Sequence, residues 1–389
     1  MLRRMNPLET LVGNAEAFPV LARRDFFNHA GVAPIPRVAA DAIRRYAQQA
    51  ESDVYLDSGW YREVEKTRAT ASRLINAAPD EVALVKNTGE GLSIVARGID
   101  WQRGDRIVTT AVEYPSNIYP WMELRETRGV ELVMVPETDA PDGARVVDES
   151  AVLEAATHPR TRLVTLSHVQ YASGQRMDVA RVGRFCRERG ILFCVDAIQS
   201  LGVLPVDVQS MNIDFLAADG HKWMLGPEGA GLFFIRRDLM ARVRPLSVGW
   251  MNVVNARDFG HYDYTLRPDS RRYECGSWNV AGFLGLGASL ALLESVGIDR
   301  IFARVRGLGD RLVSGLRGKG WRIVSSRADR QVSGSVVFVS DRVDHREVFE
   351  SLREKRIEIA LREGRLRASP HFYNTEDQVD RLIESLPNG

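Results

Sequence analysis

The chain has 389 residues, with 52 Lys and Arg against 51 Asp and Glu, a formal charge of +1. That balance argues against a nucleic-acid binder, which needs concentrated positive charge to neutralise phosphates. Shares of 44% hydrophobic and 26% charged residues exclude disorder, a collagen and a disulfide scaffold, and suit a soluble chain with a large core.

In chain order, residues 1–19 carry Arg3 and Arg4 but no apolar stretch long enough for a secretion signal. Short apolar runs follow at 82–85, 107–109, 132–135, 163–166, 191–195 and 215–217, each bounded by Gly, Pro, Asp or Ser. Runs of this length suit strands buried on both faces. Helical patterns lie between them, as at 179–189, where Val182, Phe185 and Cys186 recur at helical spacing. The expected fold class is α/β, a mostly parallel sheet with crossover helices.

Residues 250–278 are rich in Tyr, Arg, Asp and Gly and predict a long connecting loop, a feature that usually covers a site or a partner. A helix is expected at 281–295, bearing Gly282, Gly285 and Gly287. The pattern then alternates: helix 301–316, strands 322–325 and 335–339, helix 346–355, strand 357–361 and helix 375–386. This divides the chain into a large domain over 22–260, a connecting loop over 261–280 and a smaller α/β C-terminal domain over 281–389, with residues 1–21 packing near it. No run of about 18 apolar residues occurs, so no membrane span is expected. The three cysteines, Cys186, Cys194 and Cys275, form no C-x-x-C pair, and their odd number fits a reducing compartment. The expected address is cytoplasmic.

In open parallel sheets ligands bind beyond the carboxyl ends of the strands. The run 191–195 delivers Asp196 and then Gln199, and 215–217 delivers Asp219, Gly220, His221 and Lys222. The run 82–85 leads into Asn87-Thr88-Gly89-Glu90-Gly91, and 163–166 leads to Ser167, His168, Gln170 and Tyr171. A strand-end lysine can form a Schiff base with an aldehyde cofactor. An aspartate beside it can keep a pyridine nitrogen protonated, and a glycine-bearing turn at a helix N-terminus offers N–H groups to a phosphate. Nothing in the pattern calls for a metal.

The segment Ala218-Asp219-Gly220-His221-Lys222-Trp223, followed by Gly226-Pro227-Glu228-Gly229-Ala230-Gly231, resembles the lysine signature of the class V aminotransferases. These are fold-type I pyridoxal-phosphate enzymes that include cysteine desulfurases, selenocysteine lyases, isopenicillin N epimerase and kynureninase. The similarity runs from about Asp25 to Leu386. It implies pyridoxal 5'-phosphate as cofactor, with Lys222 as the Schiff-base lysine, Asp196 at the pyridinium nitrogen and Gln199 at the phenolic oxygen. Thr88 and Gly89 would bind the phosphate, with His221 and Asp219 nearby; many desulfurases have Ser in place of Asp219. Tyr114 falls where desulfurases place a ring-stacking histidine. Ser277 matches a hydroxyl that reaches the partner subunit's phosphate, which implies a homodimer with shared sites.

On the substrate side, the resemblance implies Arg367 as the clamp for an α-carboxylate, with Arg362, Tyr171 and His29 beside it. The substrate is then an amino acid or a derivative of one, processed through an external aldimine and a Cα carbanion. The favoured reaction is amino transfer, with C–S β-elimination and epimerisation as alternatives. A persulfide-forming cysteine desulfurase is disfavoured, because the loop between Arg362 and Arg367 is short and holds no cysteine. The non-enzyme alternative is a catalytically silent binding module on the same fold, against which the retained Lys222, Asp196 and Arg367 speak.

Overall fold

The computed structural model describes residues 7–141 and 143–389; the N-terminal arginines at 3 and 4 lie outside that range. Seven strands form the central sheet: β1 (Val82–Val85), β2 (Arg106–Thr110), β3 (Glu131–Val135), β4 (Thr161–Ser167), β5 (Leu192–Asp196), β6 (Phe215–Asp219) and β7 (Gly231–Ile235). Their order is β1-β7-β6-β5-β4-β2-β3. Every pairing among β6, β5, β4, β2 and β3 is parallel, and β7 runs antiparallel to both of its neighbours. Side chains of β1, β6 and β7 are buried throughout. That two-sided burial is why these strands read as unbroken apolar runs.

All six expected strands of the large domain are present. β7 is an addition: its Gly231 opening belongs to the glycine-rich motif, which masks the start of the apolar run Leu232–Ile235. The glycine is required there, since a Cβ on Gly231 would sit 2.7 Å from the carbonyl oxygen of Ala218 on β6.

Helix α1 (Thr88–Gly98) starts directly behind β1, with Asn87 as its cap accepting from the Glu90 N–H at 2.9 Å. Further on, α2 (Val280–Val296) and α3 (Ile298–Gly318) meet at Gly297 with an 81° bend. Phe283, Leu286 and Leu290 of α2 bury in the large sheet's core, whereas Leu308, Leu312 and Leu316 of α3 join a second core. The first part of α3, with Ile301 and Val305, instead shares a cluster with Leu293 and Val296 at the end of α2. The glycines of α2 explain the attachment: Gly285 and Gly287 are seated against Ile43 and Thr67, on helices Arg37–Ser52 and Trp60–Leu74.

The smaller body carries an antiparallel sheet of β8 (Arg322–Ile323), β9 (Val336–Val339), β10 (Ala360–Arg362) and β11 (Arg365–Ala368), in the order β8-β9-β11-β10. β10 and β11 form a hairpin over the two-residue turn Glu363-Gly364, both at positive φ (49° and 75°), as tight hairpins require. Leu8, Leu11, Val20 and Leu21 of the N-terminal segment pack on a cluster holding Phe372, Tyr373, Trp223 and Val203. Between Gly249 and Trp278 the chain forms one isolated bridge, Val253 to Leu266, and one short 3-10 turn, Ser270–Tyr273, so the loop expectation matches. Among the described residues no single helix is long and apolar enough to cross a membrane.

Candidate active site

Strands β1, β2, β4, β5 and β6 point the same way, so their carboxyl ends share one edge of the sheet. Asp196 ends β5, Asp219 ends β6 with His221 and Lys222 just beyond, and Thr88 opens α1 behind β1. The sheet order places β5 beside β6, and this brings Asp196 and Lys222 into electrostatic contact.

Both groups are buried. Burial pushes the Asp196 carboxyl up; the Ile198 N–H, donating to it at 2.9 Å, and the Lys222 charge pull the other way. Burial pushes the Lys222 ammonium down, Asp196 opposes this, and the cations of Arg367 and Arg362 reinforce it. The pair is thus poised far closer to neutrality than free side chains would be. The face of Tyr114 lies 5.4 Å from the Lys222 nitrogen.

At the adjoining turn, the Thr88 hydroxyl oxygen accepts from the Asp219 N–H at 3.0 Å, which leaves its own hydrogen to donate elsewhere. One carboxylate oxygen of Asp219 accepts from the Gly220 N–H at 2.7 Å, and the other stands 3.0 Å from His221 Nδ1. Asp219 is therefore engaged in shaping its own turn, with His221 close beside it. This accounts for an acid at a position where an anion is expected nearby.

The opposite wall comes from the smaller body. Arg367, on β11, is 1% exposed, and its Nη1 donates to the Tyr171 carbonyl at 2.5 Å. Its Nε and Nη2 find no partner among the described residues. A buried guanidinium with unmet donors is costly, and burial, with Arg362 adding, pushes its pKa down to about 9. The Tyr171 hydroxyl donates to Glu363 at the hairpin turn, and burial followed by that bond pushes it up to about 12. The Tyr171 ring meets Tyr114 edge-on at 5.3 Å. Ring and charge contacts thus link Tyr114, Tyr171, Arg362, Arg367 and Lys222.

His29 does not join this set. It is fully buried, with Nδ1 against the Ser369 carbonyl at 2.8 Å and Nε2 against the Tyr373 hydroxyl at 2.5 Å. Both ring nitrogens are committed, and burial holds its pKa well below the usual value, so it has nothing to offer a substrate. Ser277 is exposed, on a segment anchored by Glu274. That carboxylate takes the buried Arg68 guanidinium, the Leu84 N–H at 2.8 Å and the Trp278 indole N–H at 2.7 Å. Gln199 is buried, with its amide held by Trp223 and Ala30.

Glu113 is absent from the sequence-based set, yet it is central. Its carboxylate accepts from Thr110, Asn117, Gln170 and both the N–H and hydroxyl of Ser167, and it contributes to raising Asp196. Its place directly before Tyr114 was the available signal. Glu363 and Trp223 were also missed.

The buried Lys222–Asp196 pair and the unclaimed Thr88 hydrogen fit an anionic aromatic aldehyde, and the orphaned Arg367 donors fit a carboxylate beside it. An α/β sheet with this lysine and aspartate at its carboxyl edge defines a pyridoxal-phosphate enzyme of the fold-type I architecture. Residues 26–382 match the family model of aminotransferase class-V, and the chain belongs to that family, which uses pyridoxal 5'-phosphate. A relative from Methanothermobacter thermautotrophicus named probable cysteine desulfurase is 32% identical over 396 residues, covering 95% of each chain. The apo cysteine desulfurase of Thermococcus onnurineus NA1 superposes with a TM-score of 0.86 at 26% identity, covering 99% of this chain and 97% of that one. The cystine C–S lyase C-DES, solved with its product cysteine persulfide, gives 0.86 at 26% identity, covering 94% and 98%. A mutant of that lyase carries glycine covalently linked to its pyridoxal phosphate.

Proposed function

We propose that this protein is a pyridoxal-phosphate-dependent lyase that breaks the C–S bond of a sulfur-bearing amino acid by β-elimination. The observation that carries this is the Lys222–Asp196 pair in electrostatic contact with an Arg367 fork that has donors to spare, beside a two-residue hairpin turn without cysteine. The desulfurase and lyase names of the relatives move the reading from amino transfer, favoured on sequence alone, to C–S cleavage. The cysteine-free hairpin keeps it apart from persulfide formation on the protein.

Lys222 would hold the cofactor aldehyde covalently, Asp196 would keep a proton on the pyridine nitrogen, and Gln199 would donate to the phenolic oxygen. Tyr114 would stack on the ring. Thr88, Gly89 and His221 would hold the phosphate, with Asp219 beside His221. When bound, pyridoxal phosphate supplies an electron-accepting ring that stabilises negative charge on the substrate's α-carbon. Arg367 would grip the α-carboxylate through its two unmet N–H groups, with Arg362 and Tyr171 along the same wall. Lys222, displaced by the substrate amine, would take the α-proton. Its burial lowers its hold on protons and so enlarges the neutral fraction near pH 7. With the α-proton on Lys222, the net products expected from a β-thiol substrate would be a sulfide, a keto acid and ammonia, one water being consumed.

The test is incubation of the pyridoxal-phosphate-loaded protein with L-cysteine, L-cystine and sulfur-free amino acids. Pyruvate and ammonia in equal amounts, with sulfide or a persulfide, are expected from the sulfur substrates. A keto acid that retains its sulfur would mean amino transfer, inverted stereochemistry would mean epimerisation, and either would overturn the lyase reading.

We also infer a homodimer with shared sites. Phe259, Tyr262 and Tyr264 are largely exposed and, with Trp250, line a surface cavity of about 440 Å³. Exposed aromatic patches of this kind mark contact surfaces, and Ser277 would reach across such an interface. Three free cysteines, two of them buried, suit a cytoplasmic address.

A further inference from the structure

A glutamine amide is nearly symmetric in shape, and only its neighbours decide which end donates. Around Gln199 the neighbours leave one choice. The Trp223 indole N–H, which can only donate, gives its hydrogen to Gln199 Oε1 at 3.0 Å. Gln199 Nε2 in turn donates to the Ala30 carbonyl at 3.0 Å. Reversing the amide would set N–H against N–H and carbonyl against carbonyl. All three residues are buried, so neither clash could be relieved by water.

Trp223 is itself fixed. It is 1% exposed, its carbonyl accepts from His371 Nε2 at 3.1 Å, and its ring fills the space beside Gly334, where a Cβ would lie 2.4 Å from the indole. It also directly follows Lys222. After these bonds, Gln199 keeps one uncommitted donor, the second hydrogen on Nε2.

We propose that Trp223 is a positioning residue for the cofactor: it locks the Gln199 amide so that only an N–H can face the phenolic oxygen. The inference rests on the reading of Gln199 given above. An acceptor oxygen that loses a donor holds its own proton more tightly. Freeing the amide should therefore raise the pH midpoint of the cofactor's visible absorption change.

The test compares pH titrations of the absorption band in pyridoxal-phosphate-loaded wild type, Gln199→Ala, Trp223→Phe, Trp223→His and the Gln199→Ala/Trp223→Phe double variant. Histidine Nε2 occupies the ring position of the indole nitrogen, so Trp223→His keeps a donor while Trp223→Phe removes it. Gln199→Ala and Trp223→Phe should each raise the midpoint, by about half a unit or more for one lost hydrogen bond. Trp223→His should stay at the wild-type value, and the double variant should match Gln199→Ala alone. A shift in Gln199→Ala without one in Trp223→Phe would overturn the role of Trp223 and leave the reading of Gln199 intact. Equal shifts in Trp223→Phe and Trp223→His would reduce Trp223 to packing and also overturn it. An unmoved midpoint in Gln199→Ala would remove the reading of Gln199, and the inference with it.

Discussion

Arg367 sits at the point where function and stability pull apart. A guanidinium that is 1% exposed with two donors unmet is poor for the fold and good for a carboxylate. Replacing such a buried charge with an apolar side chain of similar size is commonly neutral or stabilising. Arg367→Met should therefore raise the apoprotein's unfolding free energy in urea, by about 1–3 kcal/mol, while weakening amino-acid binding about a hundredfold. Loss of both properties together would mean that the arginine is a structural member. At this scale the sequence displayed Asp196, Lys222 and Thr88 clearly, because each follows an apolar run at a strand end. Trp223 and Glu363 were illegible because their bonds reach 24 and 192 residues along the chain. Spacing carries no trace of such contacts. His29 misled for the opposite reason: a turn histidine looks available until Ser369 and Tyr373, from the far end of the chain, occupy both its nitrogens.

On the proposed reading, the β10–β11 hairpin would decide the fate of the sulfur. Its turn has only Glu363 and Gly364, and no cysteine follows Cys275 in the chain. Cys186 and Cys194 are buried, and burial pushes both thiols up, Cys186 to about 12, which leaves them protonated and unreactive. After turnover with L-cysteine, mass spectrometry should therefore find no added sulfur on the hairpin peptide or on the buried Cys186 and Cys194. A sulfur retained at any of these places would sink this account. Element legibility followed unbroken apolar runs: β7 was hidden by the glycine-rich motif at its start, and β11 because Arg365 and Arg367 interrupt it for an ion pair with Glu137 and a bond to the Tyr171 carbonyl.

Across the whole molecule, three buried imidazoles set the acid limit. His29, His168 and His371 are kept neutral chiefly by burial, with His168 held down to about 3 and His371 to about 4 against an ordinary 6.5. The unfolded chain gains these protons as pH falls below 6.5 and the folded chain refuses them, so their contribution is complete above 6.5 and lost as pH drops toward 4. Asp196 acts the other way, since burial raises its carboxyl and the folded apoprotein takes a proton there first. Burial raises the Asp214 carboxyl as well, so three imidazoles stand against two carboxyls, and the net effect is a loss of stability as pH falls from 7 to 5. Urea unfolding of the apoprotein at pH 7 and pH 5 checks this, and equal stability at both would contradict it. The joint at Gly297 has a further consequence at this scale. Lys222 belongs to the sheet body, while Arg367 belongs to the smaller body. On the proposed reading, a substrate held at both residues would be a rivet through two plates, and a compound without the carboxylate would fasten to only one of them.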